Sequence, residues 1–136
     1  MTVSNPYSQY QENQLKTQTP GKLLLMAYDA AIRFAQTASE KMKEGKLDEQ
    51  SANIIKAQNI VLELMSSINL KQDRQLASNL SSLYSYLFDR LTQANIRDDS
   101  NALEEAITIL SELRTAWAEA EMALRTGADA AMRLAA

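Results

Sequence analysis

At 136 residues the chain has the size of one domain, large enough for a continuous core and too small for two comfortable ones. It carries 14 Lys+Arg against 17 Asp+Glu and no His or Cys, which excludes zinc sites of the N/S type, disulfides and nucleophile systems built on His. A net charge of -3 speaks against nucleic acid as a partner, because such binding depends on neutralising phosphates.

The first stretch, Met1 to Gln14, is polar, with no cationic start and no apolar block, so it does not read as a secretory signal. The longest apolar run, Leu23 to Tyr28, falls far short of the roughly 20 residues that span a bilayer. The expectation is a cytosolic protein that is not inserted in a membrane. Both prolines, Pro6 and Pro20, lie at the start of the chain, which separates a leader, residues 1–18, from a helix-permissive body. In the leader, Tyr7, Tyr10 and Gln14 share one helical face, yet the segment is too polar and short to hold a helix alone. It reads either as a disordered terminus or as a helical or extended cap that docks onto the rest, as a permanent clip or as a removable cover.

The body, residues 19–126, divides into four helical segments. Thr19 as N-cap and Pro20 at the first helical position open a helix over 20–44, which Lys41, Lys43 and Gly45 close. Its apolar stripe is Leu24, Tyr28, Ala31, Ala35, Ala38 and Met42. A second helix starts near Asp48, read as its N-cap, with Ile54, Ala57, Val61, Leu64, Met65 and Ile68 on one face. It ends in the polar stretch Lys71 to Arg74. The third carries Leu76, Leu80, Leu83, Leu87, Leu91 and Ala94, and Asn95 is the expected stop. The fourth begins after Ser100, with Asn101 and Glu104 at capping-box spacing. Leu103, Ala106, Leu110, Leu113, Trp117, Ala120 and Leu124 then alternate steps of three and four, the pattern of a bundle seam. Gly127 is expected to interrupt it before an Ala-rich tail, 127–136. Similar helix lengths and short connections predict an all-α, antiparallel up-down-up-down four-helix bundle.

A bundle of this kind can hold a di-iron carboxylate site, but that needs Glu-x-x-His pairs, and the chain has no His. No G-x-x-x-x-G-K-[ST] loop is present either. Glu104-Glu105 and Asp98-Asp99 read as solvent-facing charge in a first helical turn, so no catalytic residue, metal or cofactor is expected. More informative is apolar surface beyond a single seam: Leu25, Ile32, Ile55, Leu62, Tyr84, Tyr86, Phe88, Ile107 and Ile109. These residues either thicken the core or line grooves that an amphipathic segment fills through anchors at i, i+3, i+4 and i+7.

Several short motifs in order point further. They are Asn5-Pro6-Tyr7-x-x-Tyr10, Thr19-Pro20-Gly21-Lys22-Leu23, Met26-Ala27-Tyr28-Asp29-Ala30-Ala31-Ile32 and Lys56-Ala57-Gln58-Asn59-Ile60. Asn79-Leu80-x-x-Leu83-Tyr84-x-Tyr86, Arg90-Leu91-x-x-Ala94-Asn95-Ile96-Arg97-Asp98-Asp99 and Leu113-Arg114-x-Ala116-Trp117 follow. With these pieces the chain, over roughly residues 5–119, resembles the FliS family, the flagellin-specific export chaperones of the bacterial flagellar type III secretion system. The resemblance implies a cytosolic, non-enzymatic bundle that binds the disordered C-terminal region of flagellin in apolar grooves. It further implies that this prevents premature polymerisation and helps delivery to the flagellar export gate. Carried across by position, Tyr7 and Tyr10 belong to a segment lying near or over a groove. The candidate groove walls are Leu25, Tyr28 and Ile32 from the first helix, Ala57, Ile60 and Leu64 from the second, and Leu83, Tyr84 and Leu87 from the third. Lys71-Gln72-Asp73-Arg74 departs from the Gly-Gly that family members often carry between helices two and three, and the Ala-rich tail after Glu119 lies outside the resemblance, open to extending helix four, packing on a groove or fraying. The alternative reading is a self-associating helical scaffold or adaptor without flagellin as client.

Overall fold

The computed structural model describes residues 19–68 and 73–135. Among them the chain forms four helices and no strand: α1 (Pro20–Lys43), α2 (Leu47–Ser66), α3 (Arg74–Arg97) and α4 (Ser100–Ala135). α1 packs on α2 and α4, and α3 packs on the same two, which closes an antiparallel up-down-up-down ring. The leader, with Tyr7 and Tyr10, and the Asn69–Gln72 part of the second connection lie outside the described residues.

Local chemistry explains most boundaries. Thr19 Oγ1 accepts from the Lys22 N–H at 3.3 Å, and Pro20 occupies the first helical turn. At the other end of α1, Gly45 turns left-handed with φ 72°, and the Lys46 N–H reaches back to the Lys41 carbonyl at 2.9 Å. Asp73 caps α3 by accepting from the Leu76 N–H at 3.0 Å.

Four expectations are corrected. α2 begins at Leu47 after Lys46, which makes no side-chain capping bond, and Asp48 sits inside the first turn, where its charge favours the positive helix end. α3 runs past Asn95 to Arg97, and Asp98 takes the left-handed turn with φ 49°. The Asn95 side chain instead donates to Ser51 Oγ at 3.1 Å. At the start of α4, Asp99 Oδ1 accepts from the Ala102 N–H at 3.1 Å, while Glu104 accepts from Ser39 Oγ at 2.8 Å, so no Asn101–Glu104 box forms. Gly127 lies within α4, which continues to Ala135; one glycine costs a long helix only about 1 kcal/mol.

The core is fully closed in the middle of the bundle. Ala31, Ala35 and Ala38 of α1 face Ile54, Ala57 and Val61 of α2, Leu87 and Leu91 of α3, and Leu103, Ala106 and Leu110 of α4, all at 0% exposure. The alanine stripe lets neighbouring backbones approach closely, and the large side chains of the facing helices fill the space. The buried Gln58 is paired between helices: its Nε2 donates to Thr92 Oγ1 at 2.8 Å and to the Phe88 carbonyl at 3.2 Å.

The seam of α4 outruns its neighbours. Pairs Ser39–Glu104, Asp29–Arg114 and Tyr28–Trp117 track α4 antiparallel along α1, and Glu121 ends against Gly21, where an added Cβ would lie 1.7 Å from its Oε2. α1 begins one residue earlier, at Pro20. Beyond that point α4 loses α1 as a neighbour, and Met122, Leu124, Met132 and Leu134 are 70–90% exposed. With 36 residues, α4 is about 54 Å long at 1.5 Å per residue, against about 36 Å for the 24 residues of α1.

Candidate functional site

At the end of the bundle where α1 enters, the closed core opens into a hollow of about 220 Å³. Leu24 of α1, Leu64 and Ile68 of α2, Leu76, Leu80 and Tyr84 of α3, and Trp117 of α4 line it. Its floor is a chain of polar tips: the Trp117 Nε1–H donates to the Tyr28 hydroxyl at 3.1 Å, and the hydroxyls of Tyr28 and Tyr84 stand 2.5 Å apart. Burial, before the bond from Tyr84, pushes the Tyr28 phenol far above its ordinary value, and burial likewise raises Tyr84. Both are therefore neutral donors and acceptors at physiological pH. Each phenol carries one proton, and their mutual bond uses one of the two. Tyr28 already accepts from Trp117 and has no exposed surface, whereas Tyr84 lines the hollow. Either hydroxyl can serve as the donor in the Tyr28–Tyr84 bond.

A second, wider hollow of about 500 Å³ lies between α1 and α2. Leu23, Met26, Ala27, Ala30 and Ile60 form its apolar surface, and Asp29, Arg33 and Glu63 form its charged rim. Leu23 and Met26 are 36% and 39% exposed. Arg114 of α4 braces the rim through its Nε, 2.9 Å from Asp29 Oδ1. Farther along the outer face of α2, Ile55 and Leu62 are 48% and 47% exposed. These patches add apolar surface of the kind that marks docking sites.

The sequence candidates divide on this geometry. Leu64 and Tyr84 line the end hollow, and Ile60 lines the side hollow. Leu25, Ile32 and Leu83 are half-buried and border neither. Tyr28, Ala57 and Leu87, expected as groove walls, are placed in the core at 0% exposure, because they occupy the inward seam positions of their helices. Tyr28 still bears on the end hollow through its bond to Tyr84. Sequence reasoning left out Leu24, Leu76, Leu80 and Trp117, all of which read as ordinary seam residues. It also left out Leu23 and Met26, whose i, i+3 spacing one position off the Leu24–Tyr28 seam was an available signal.

The fold and these surfaces define a helical bundle with apolar hollows at one end and one side. A family model described as "Flagellar protein FliS" matches residues 3–124, and the chain belongs to the FliS family. It is 36% identical over 120 residues to the flagellar secretion chaperone FliS of Bacillus subtilis (strain 168), spanning 88% of this chain and 89% of that one. With the protein of the same name from Salmonella typhimurium it shares 32% identity over 107 residues, spanning 78% and 79% of the two chains. A solved structure described as "Crystal structure of flagellar chaperone from bacteria" is similar in fold, with a TM-score of 0.72 at 19% identity over 85% of this chain and 94% of that one. The role that family and relatives support is that of a flagellar secretion chaperone, which is not an enzymatic role. Among the described residues, no helix is long and apolar enough to cross a membrane.

Proposed function

We propose that the chain is a cytosolic export chaperone that binds the C-terminal region of flagellin in its apolar hollows, holds it back from polymerising and presents it to the flagellar export gate. The observation that carries this reading is the pairing of an open apolar end with an apolar side groove on a bundle whose middle is sealed. Burying one Leu- or Phe-sized anchor yields about 1.5–3 kcal/mol. Ordering a disordered segment costs about 2–5 kcal/mol. A single anchor therefore nets about 1 kcal/mol at best, too little for stable binding, and a client must use both hollows at once, as an amphipathic segment wrapped around the bundle does.

In this reading Leu64 and Tyr84 contact the client at the end hollow, Ile60 contacts it at the side, and Leu25, Ile32 and Leu83 border its path. Tyr28, Ala57 and Leu87 act from behind, as the packing that shapes the walls. Tyr7 and Tyr10 bring the leader into the same interaction, so Tyr10→Ala shifts flagellin affinity far more than Glu40→Ala. The decisive experiment is calorimetry of the full chain with flagellin and with flagellin lacking its C-terminal region. Heat of binding is expected from the first alone, and equal binding to both removes the proposal. The projecting apolar end of α4 favours a second reading, a self-associating scaffold without this client. A dimer that survives dilution and takes up no flagellin is the result that would select it.

A further inference from the structure

At the opposite end of the bundle, where α2 begins and α3 stops, lies a third hollow of about 420 Å³ that the client reading does not use. Leu47 and Ile96 stand on it 56% and 76% exposed. Asp48 and Asp98 contribute two carboxylates, and no basic residue is among those that line it. Lys46, next to Leu47, is committed to Glu44 at 3.2 Å. Gln50 lines the hollow at 1% exposure, and its Nε2 donates to Asp98 Oδ1 at 2.8 Å, which fixes the orientation of the amide. Its Oε1 is shut off from solvent and has no hydrogen-bond partner among the described residues. Buried acceptors are nearly always paired, so one without a partner marks unused bonding capacity. Asn95 is already spent on Ser51.

We infer that this hollow docks an arginine-bearing segment of a partner protein, at a site separate from the client hollows. Two carboxylates and exposed aliphatic side chains ask for the same occupant, and a small shift of the Gln50 side chain brings its unspent amide oxygen to it. A guanidinium offers five N–H donors in a planar fork that fits a carboxylate, and its aliphatic stem lies against apolar surface. Carboxylates in a hollow lined by no basic residue attract a cation more than any neutral donor. Asp98 serves both purposes, since its left-handed backbone ends α3 and sets its carboxylate at the hollow beside Gln50.

The test uses the full chain, labelled with nitrogen-15, titrated with the capped tripeptide acetyl-Leu-Arg-Leu-amide and followed by NMR. The citrulline analogue, which keeps the shape and removes the charge, is the control. The arginine peptide is expected to shift signals of residues 47–51 and 95–98. The citrulline peptide and the Asp98→Asn variant should each bind at least tenfold more weakly. Asn tolerates the left-handed turn, so D98N keeps the end of α3 intact, and Asp48→Asn provides a second variant that leaves that turn untouched. Shifts confined to the other end of the bundle, or equal binding of the arginine and citrulline peptides, would overturn the inference. So would movement of the same signals on dilution of the free chain, which assigns the hollow to a second copy.

Discussion

The middle of the bundle and the end where α1 enters use the same helices and the same apolar stripes, yet one is sealed and the other open. In the middle, every stripe has a neighbouring helix on both sides, and Leu87, Leu91, Leu103 and Leu110 lose all exposure. At the entry end α1 starts at Pro20, and the stripe of α4 carries on past Glu121 with α1 no longer beside it. Trp117 and Tyr84 stay partly committed to each other through Tyr28, and the remaining apolar surface of Leu24, Leu76 and Leu80 lines a hollow. The end hollow therefore forms where the seam outlasts its neighbours, with no special residue type required.

Core and hollow respond differently to truncation, which gives the largest expected effects. Leu91→Ala in the sealed middle should cost about 2–5 kcal/mol of stability in chemical denaturation. Leu80→Ala at the half-buried hollow should cost about 1 kcal/mol of stability and weaken flagellin binding about tenfold. Equal stability losses would mean that the entry end is as closed as the middle.

The tyrosine pair sharpens the comparison through pH. Burial holds the Tyr28 and Tyr84 phenols above the ordinary value of 10.0. The folded chain thus keeps protons that the unfolded chain releases above about pH 10. The stability this contributes is complete below pH 10 and is lost as the pH rises beyond it. Thermal denaturation between pH 8 and 11 should show that decline, and Tyr28→Phe should flatten it while costing about 1–2 kcal/mol at neutral pH through its lost hydrogen bonds. An alkaline limb unchanged in Tyr28→Phe would remove the pair from the account.

Surface charge gives the smallest effect. Arg114→Ala should cost no more than about 1 kcal/mol, since the Asp29–Arg114 pair is 50% and 39% exposed and screened by water. A larger loss in urea denaturation would show that the rim of the side hollow is a structural brace.

Much of this architecture was legible in the sequence because its signals are local. Thr19-Pro20 opens α1 and Gly45 closes it, and both act within one helical turn. Other features depend on contacts made across the fold. Asn95 and Asp98 both tolerate a left-handed turn, and the choice fell to Asp98 while Asn95 bonded to Ser51 and Gln50 reached Asp98. The three-four repeat of α4 gives no sign of where its neighbour ends, so Ala120 and Leu124 read as core and are exposed. The candidate site suffered the same limit. In a wide stripe, spacing alone does not tell the inward position of Leu87 from the half-buried position of Leu83 or the hollow-lining position of Tyr84.

The claim that the client binds where the bundle is open is tested most directly by photo-crosslinking. A benzophenone amino acid is placed at Leu76, at Met26 or at Ile96 of the full chain, and each variant is irradiated with flagellin. Ile96 is the most exposed of the three at 76%, against 49% for Leu76 and 39% for Met26, so chance encounter alone would favour it. The account predicts crosslinks from Leu76 and Met26 to the flagellin C-terminal region and none from Ile96. Crosslinks from Ile96, or silence at both Leu76 and Met26, would contradict it.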